Sequence, residues 1–131
     1  MPDEKASFQD WFEKGNHDLI TAKLAFGAGA PTDTVAVLLQ QAAEKHLKGY
    51  LLSKGWQLKK THDLRDLIDR AIEYDAGFGE YVGMARLLTA MYIEDRYPSG
   101  LPENYPRKEI AGLMEQAEKL VYKIKELMDK G

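Results

Sequence analysis

The stretch from Arg107 to Asp129, RKEIAGLMEQAEKLVYKIKELMD, decides the fold. Its apolar residues Ile110, Leu113, Met114, Ala117, Leu120, Val121, Ile124, Leu127 and Met128 recur at intervals of mostly three and four, which return to one side of a 3.6-residue turn. The spacing predicts a helix over Arg107–Asp129 with a sustained apolar stripe. A stripe of that length must be covered by other elements, and the rest of the sequence says which kind.

Immediately upstream, Arg96-Tyr97-Pro98-Ser99-Gly100-Leu101-Pro102-Glu103-Asn104-Tyr105-Pro106 holds three of the five prolines of the chain. Proline lacks the amide donor and restricts the residue before it, so a loop is expected here. Before the loop, Tyr81, Val82, Ala85, Leu88 and Tyr92 mark a helix from about Phe78 to Asp95. A shorter helix opens at Thr61 or Asp63, carries Leu64, Leu67, Ile68, Ala71 and Ile72, and stops before Asp75-Ala76-Gly77. Upstream again, Thr32 or Asp33 can cap a helix bearing Val35, Leu38, Leu39, Ala42, His46, Leu47, Tyr50 and Leu51, which ends near Gly55. At the start, Ser7 and Asp10 resemble a capping box for a helix from Ser7 to Phe26, closed by Gly27-Ala28-Gly29-Ala30-Pro31. No strand alternation or internal repeat interrupts this series. The expected class is all-α: an up-and-down helical bundle of four long helices plus one short helix, in a single domain spanning residues 1–131.

Composition narrows the function classes. A chain of 131 residues suits one core, and without cysteine there is no disulfide scaffold, thiolate zinc site or cysteine nucleophile. No stretch approaches the roughly 20 apolar residues of a membrane span. The opening Met1-Pro2-Asp3-Glu4-Lys5 is acidic where a secretory signal would be basic, so cytoplasmic residence and no membrane association are expected. The net charge of −3 conceals a basic segment: Lys45 to Arg70 carries seven basic and three acidic residues. Screening beyond about 8 Å lets such a segment attract phosphate despite the negative total, although a solvated helix face has the same composition.

The histidines form no metal pattern: there is no His-Glu-x-x-His and no Glu-x-x-His, so neither a metal nor another cofactor is expected. His17 lies one turn from Glu13, as in a surface pair, and His46 sits among apolar residues, as in a core or interface. His62 opens a helix within the basic segment, where phosphate contact or capping is open to it. Lys45 and Lys48 share a helical face compatible with phosphate contact, whereas Glu44 in the same run can pair with a buried base. Arg96 stands where a helix becomes the proline-rich loop, with Tyr97 beside it. Guanidinium and aromatic ring together can hold a nucleotide by charge and stacking, while Glu94 and Asp95 offer the alternative of local ion pairing.

The opening from Trp11 to Leu24, the run Gln40-Gln41-Ala42-Ala43-Glu44-Lys45-His46-Leu47-Lys48, Thr61-His62-Asp63-Leu64 and Arg96-Tyr97-Pro98 together resemble HEPN domains over nearly the whole chain. The resemblance implies an up-and-down helical bundle, usually a homodimer, often encoded beside a minimal nucleotidyltransferase in toxin–antitoxin pairs. Many such proteins are metal-independent ribonucleases, whose arginine is followed after four to six residues by a histidine. Arg96 matches the arginine, but no histidine follows it anywhere. Loss of an acid–base partner costs roughly 10²- to 10⁴-fold in rate, so ribonuclease activity is not carried over. The expected function is a nucleotide- or RNA-binding and interaction module using Arg96, Tyr97, Lys45, Lys48 and His62. The alternative is a ribonuclease in which His62 or Tyr97 substitutes for the missing histidine.

Overall fold

The structure is a computed structural model and describes residues 7–57, 63–95 and 105–130. Five α-helices follow one another: α1 (Phe8–Gly27), α2 (Thr32–Ser53), α3 (Leu64–Ile72), α4 (Val82–Asp95) and α5 (Arg107–Asp129), with a 3₁₀ segment, Ala76–Tyr81, leading into α4. The described residues are all-α, a helical bundle.

Local chemistry sets the ends. The Ser7 hydroxyl accepts from the Asp10 amide at 3.2 Å while the Asp10 carboxylate accepts from the Ser7 amide at 3.0 Å, the reciprocal box expected at the start of α1. Gly29 and Gly55 take φ of +83° and +91°, which terminates α1 and α2 with left-handed residues that a Cβ would strain. The start of α2 differs from expectation: Pro31, not Thr32 or Asp33, occupies the cap position, its ring fixing φ at −56°. Asp63 rather than Thr61 caps α3, accepting from the Arg65 amide at 3.0 Å. The start of α4 also differs. Over Ala76–Tyr81 the turn tightens to 3₁₀, because Asp75 draws in the Gly77 amide at 2.8 Å and two glycines weaken α-helix there. Residues three apart eclipse in a 3₁₀ turn, and Phe78 and Tyr81 accordingly enter the core together.

The central helix is α2, which packs against each of the other four. Leu39, Leu47 and Leu51 from α2, Leu67 and Ile68 from α3, Leu88 from α4 and Ile110 and Leu120 from α5 form one continuous core. Truncating a leucine of this kind to alanine costs about 2 to 5 kcal/mol. The α1–α2 seam is closer than side chains alone would allow. A Cβ at Gly15 would stand 2.5 Å from Nδ1 of His46, and one at Gly49 would stand 2.7 Å from the Phe12 ring. Each helix thus leaves out a side chain where its neighbour inserts a ring, and Phe12 and His46 lie stacked, with centroids 5.9 Å apart.

Candidate functional site

Of the residues proposed from sequence to contact a nucleotide or RNA, Arg96, Tyr97 and His62 lie outside the described residues, and Lys45 and Lys48 lie within them. The two lysines are three residues apart on α2, yet their surroundings differ. Lys45 reaches across to α1, where its Nζ is 2.6 Å from the Asp18 carboxylate, and its side chain keeps 26% of its surface exposed. Lys48 is 5% exposed. Its Nζ lies 2.8 Å from Glu44 and 5.5 Å above the centre of the Trp11 ring.

Lys48 belongs to a column along α2. The Gln40 side-chain amide donates to Glu44 at 3.1 Å, and Glu44 accepts from Lys48 with its other oxygen. All three are buried, so the opposite charges of Glu44 and Lys48 are matched inside the bundle instead of by water. This is the pairing of Glu44 with a buried base that the sequence left open. The column sits on the helix that every other helix packs against, and through Lys48 over the Trp11 ring it reaches α1.

The electrostatics of the basic segment change once it is folded. Lys45 and Lys48 are matched by Asp18 and Glu44, both outside the segment from Lys45 to Arg70. Arg65 pairs with Asp69 at 3.1 Å, Arg70 approaches Asp66 at 3.8 Å, and Lys54 stands over the Tyr50 ring. The described cations of the segment are therefore each engaged with an anion or a ring. Lys59 and Lys60 lie outside the described residues.

His46, read from sequence as a core or interface histidine, is 2% exposed. Its Nδ1 lies 2.8 Å from the Ala42 carbonyl oxygen, a bond only a ring N–H can make, and Nε2 lies 3.0 Å from the Asn16 side chain. Burial holds its pKa below the ordinary value, against the smaller opposing effects of the Ala42 carbonyl and the Asp18 charge. The Asn16 atom that faces Nε2 is the side-chain oxygen Oδ1. His17, by contrast, is exposed on α1.

Sequence reasoning did not find a cleft of about 600 Å³ beside His46, between the first half of α1 and the last half of α5. Its walls come from three helices far apart in the chain, and only their packing brings them together. No helix among the described residues is long and apolar enough to cross a membrane.

Comparison with known proteins places this geometry in context. The HEPN domain family matches residues 8–129. The crystal structure of TT1696 from Thermus thermophilus is similar with a TM-score of 0.76 and 30% identity, over 91% of this chain and 96% of that one. The crystal structure of an archaeal HEPN homologue shares the fold, with a TM-score of 0.71 and 23% identity over 94% of this chain and 98% of its own. Among curated proteins, none matches.

Proposed function

The chain belongs to the HEPN domain family, and from that membership we propose that it is a nucleotide- or RNA-binding and interaction module without ribonuclease turnover. Residues 1–131 act as one domain, in the cytoplasm, as a homodimer. The protein partner is a minimal nucleotidyltransferase, as in a toxin–antitoxin pair. The observation that carries this reading is Arg96, which has the planar, permanent charge for gripping phosphate and no histidine after it to serve as acid or base. Tyr97 supplies a ring for stacking, and His62 a further phosphate contact. Of the two lysines on α2, Lys45 keeps solvent access and can trade Asp18 for a phosphate. Lys48, held by Glu44, contributes by fixing the position of α2.

The test is cleavage of a mixed RNA pool in the presence of chelator, by wild type and Arg96→Ala, followed by nucleotide titration of both. No cleavage by either protein is expected, together with about tenfold weaker nucleotide or RNA binding in the variant, the loss typical of a charged hydrogen bond. An unchanged melting temperature would separate that loss from unfolding. Chelator-resistant cleavage by wild type that Arg96→Ala abolishes would overturn the proposal in favour of a ribonuclease with His62 or Tyr97 as the substitute base. Equal binding by both proteins would remove Arg96 from the site.

A further inference from the structure

The helices α1 and α5 flank α2, and among the described residues their polar contacts with each other join the second half of α1 to the first half of α5. There, Arg107 at the start of α5 stacks 3.9 Å from the centre of the Phe26 ring and donates to the Phe26 carbonyl at 2.9 Å. Lys23 and Glu118 add an ion pair at 2.6 Å. Toward the other end, where α1 begins and α5 finishes, the two helices stand apart and leave the cleft of about 600 Å³. A volume of this size, between helices of a bundle, falls in the range that accommodates small organic ligands.

The two walls of the cleft are unlike. On the α1 side, Phe8 and Phe12 meet edge to face with centroids 6.0 Å apart, and Phe12 stacks on His46. On the α5 side, the wall is aliphatic, from Val121, Ile124 and Met128. A slot with an aromatic wall facing an aliphatic one favours a flat ring, which gains contact on both of its faces. The aromatic wall is also fixed before any ligand arrives. Gly15 and Gly49 let His46 and Phe12 press into the facing backbones, and both ring nitrogens of His46 are hydrogen-bonded.

The polar groups of the lining carry no surplus charge. Lys125 and Asp129 contribute one charge of each sign, and Gln9 and Asn16 are amides. Asn16 uses one side-chain atom on His46, and its other amide atom makes no hydrogen bond among the described residues. What Asn16 leaves over is its Nδ2 donor, and the Gln9 amide offers both a donor and an acceptor, so an amide edge on a ligand is matched. We infer that this cleft, distinct from the contact proposed around Arg96, is a binding site for a small, uncharged, planar aromatic molecule bearing a carboxamide-like edge.

Two probes of one shape test this: naphthalene-2-carboxamide, which is neutral, and 2-naphthoate, which is an anion. Each is titrated into the protein while amide resonances are followed by ¹H–¹⁵N NMR. Saturable shifts at Gln9, Asn16 and Lys125 are expected with the carboxamide, with at least about tenfold weaker binding of the naphthoate, as for loss of a matched hydrogen bond with an added charge. Val121→Trp, which fills the slot from its half-buried aliphatic wall, should abolish the shifts. Asn16→Leu, at an exposed position, should weaken them about tenfold without unfolding the protein. Shifts that do not saturate, equal affinity for both probes, or unchanged binding in Asn16→Leu would each overturn the inference. So would movement of the same resonances on raising the protein concentration alone, which would seat a second copy in the cleft. None of these outcomes depends on Arg96, so the reading of that site stands or falls separately.

Discussion

The ion pair Glu44–Lys48 on α2 and the pairs Arg65–Asp69 and Asp66–Arg70 on α3 have the same sequence spacing, four residues between opposite charges, and opposite surroundings. The α2 side chains keep 6% and 7% of their surface, whereas those of α3 keep between 38% and 53%. On α3, water screens both members and could replace either. On α2, each charge leans on the other, because the opposite charge offsets much of the desolvation that burial imposes. Equal patterns in sequence thus carry very different energies, and the difference is decided by which helix is surrounded.

The largest effect should follow from dividing the buried pair. Glu44→Gln keeps the shape of the side chain but leaves the Lys48 ammonium in the interior without its carboxylate, a loss of about 3 to 5 kcal/mol of folding stability. Urea unfolding would measure it. The double substitution Glu44→Leu/Lys48→Met removes both charges and should recover most of the loss or exceed wild type. A double variant as unstable as the single one would mean that the column is held by shape and hydrogen bonding, with the charge pair contributing little.

That contrast also marks how much could be read from the sequence. The apolar stripe of α5 gave both its ends correctly, since its period, the proline before it and the absence of a competing pattern all agree. The Ser7–Asp10 box placed α1 within a residue for the same reason. The start of α4 was misplaced because tertiary packing of Phe78 and Tyr81, together with the Asp75 cap, outweighs the helical period that sequence shows. For the candidate site, a pairing of Glu44 with a buried base was legible as an option, but that Lys48 is buried while Lys45, three residues earlier, keeps solvent access was not. Four-residue charge spacing looks the same on a surrounded helix as on an exposed one. The cleft between α1 and α5 was illegible altogether, because no local pattern encodes where two helices are tied and where they part.

A smaller effect is expected from the buried histidine of α2. Burial depresses the pKa of His46 in the folded protein below its unfolded value near 6.5. The unfolded chain therefore takes up a proton first, and stability falls as pH drops from about 7 through 6.5 toward the lower folded value. One such group gives a slope of at most about 1.4 kcal/mol per pH unit. Unfolding followed at pH 7.5, 6.5 and 5.5 should show this decline, and His46→Gln should flatten it even if the variant is less stable throughout. An unchanged slope in His46→Gln would assign the decline to carboxylates elsewhere.

The smallest effect is expected on α3, where Arg65→Ala removes one partner of an exposed pair. The guanidinium donates to Asp69 at 3.1 Å, but both side chains are about half exposed, so Asp69 regains water when Arg65 is lost. Alanine is also a better helix former than arginine, which offsets part of the missing attraction. The net change should stay within about 0.5 kcal/mol and shrink further in 0.5 M salt, since screening at that strength acts over a few ångströms. The salt dependence is the discriminating readout. A loss of several kcal/mol that persists in salt would mean that α3 is buried against another surface in the protein as it exists in solution, and the contrast with α2 would then describe the isolated chain alone.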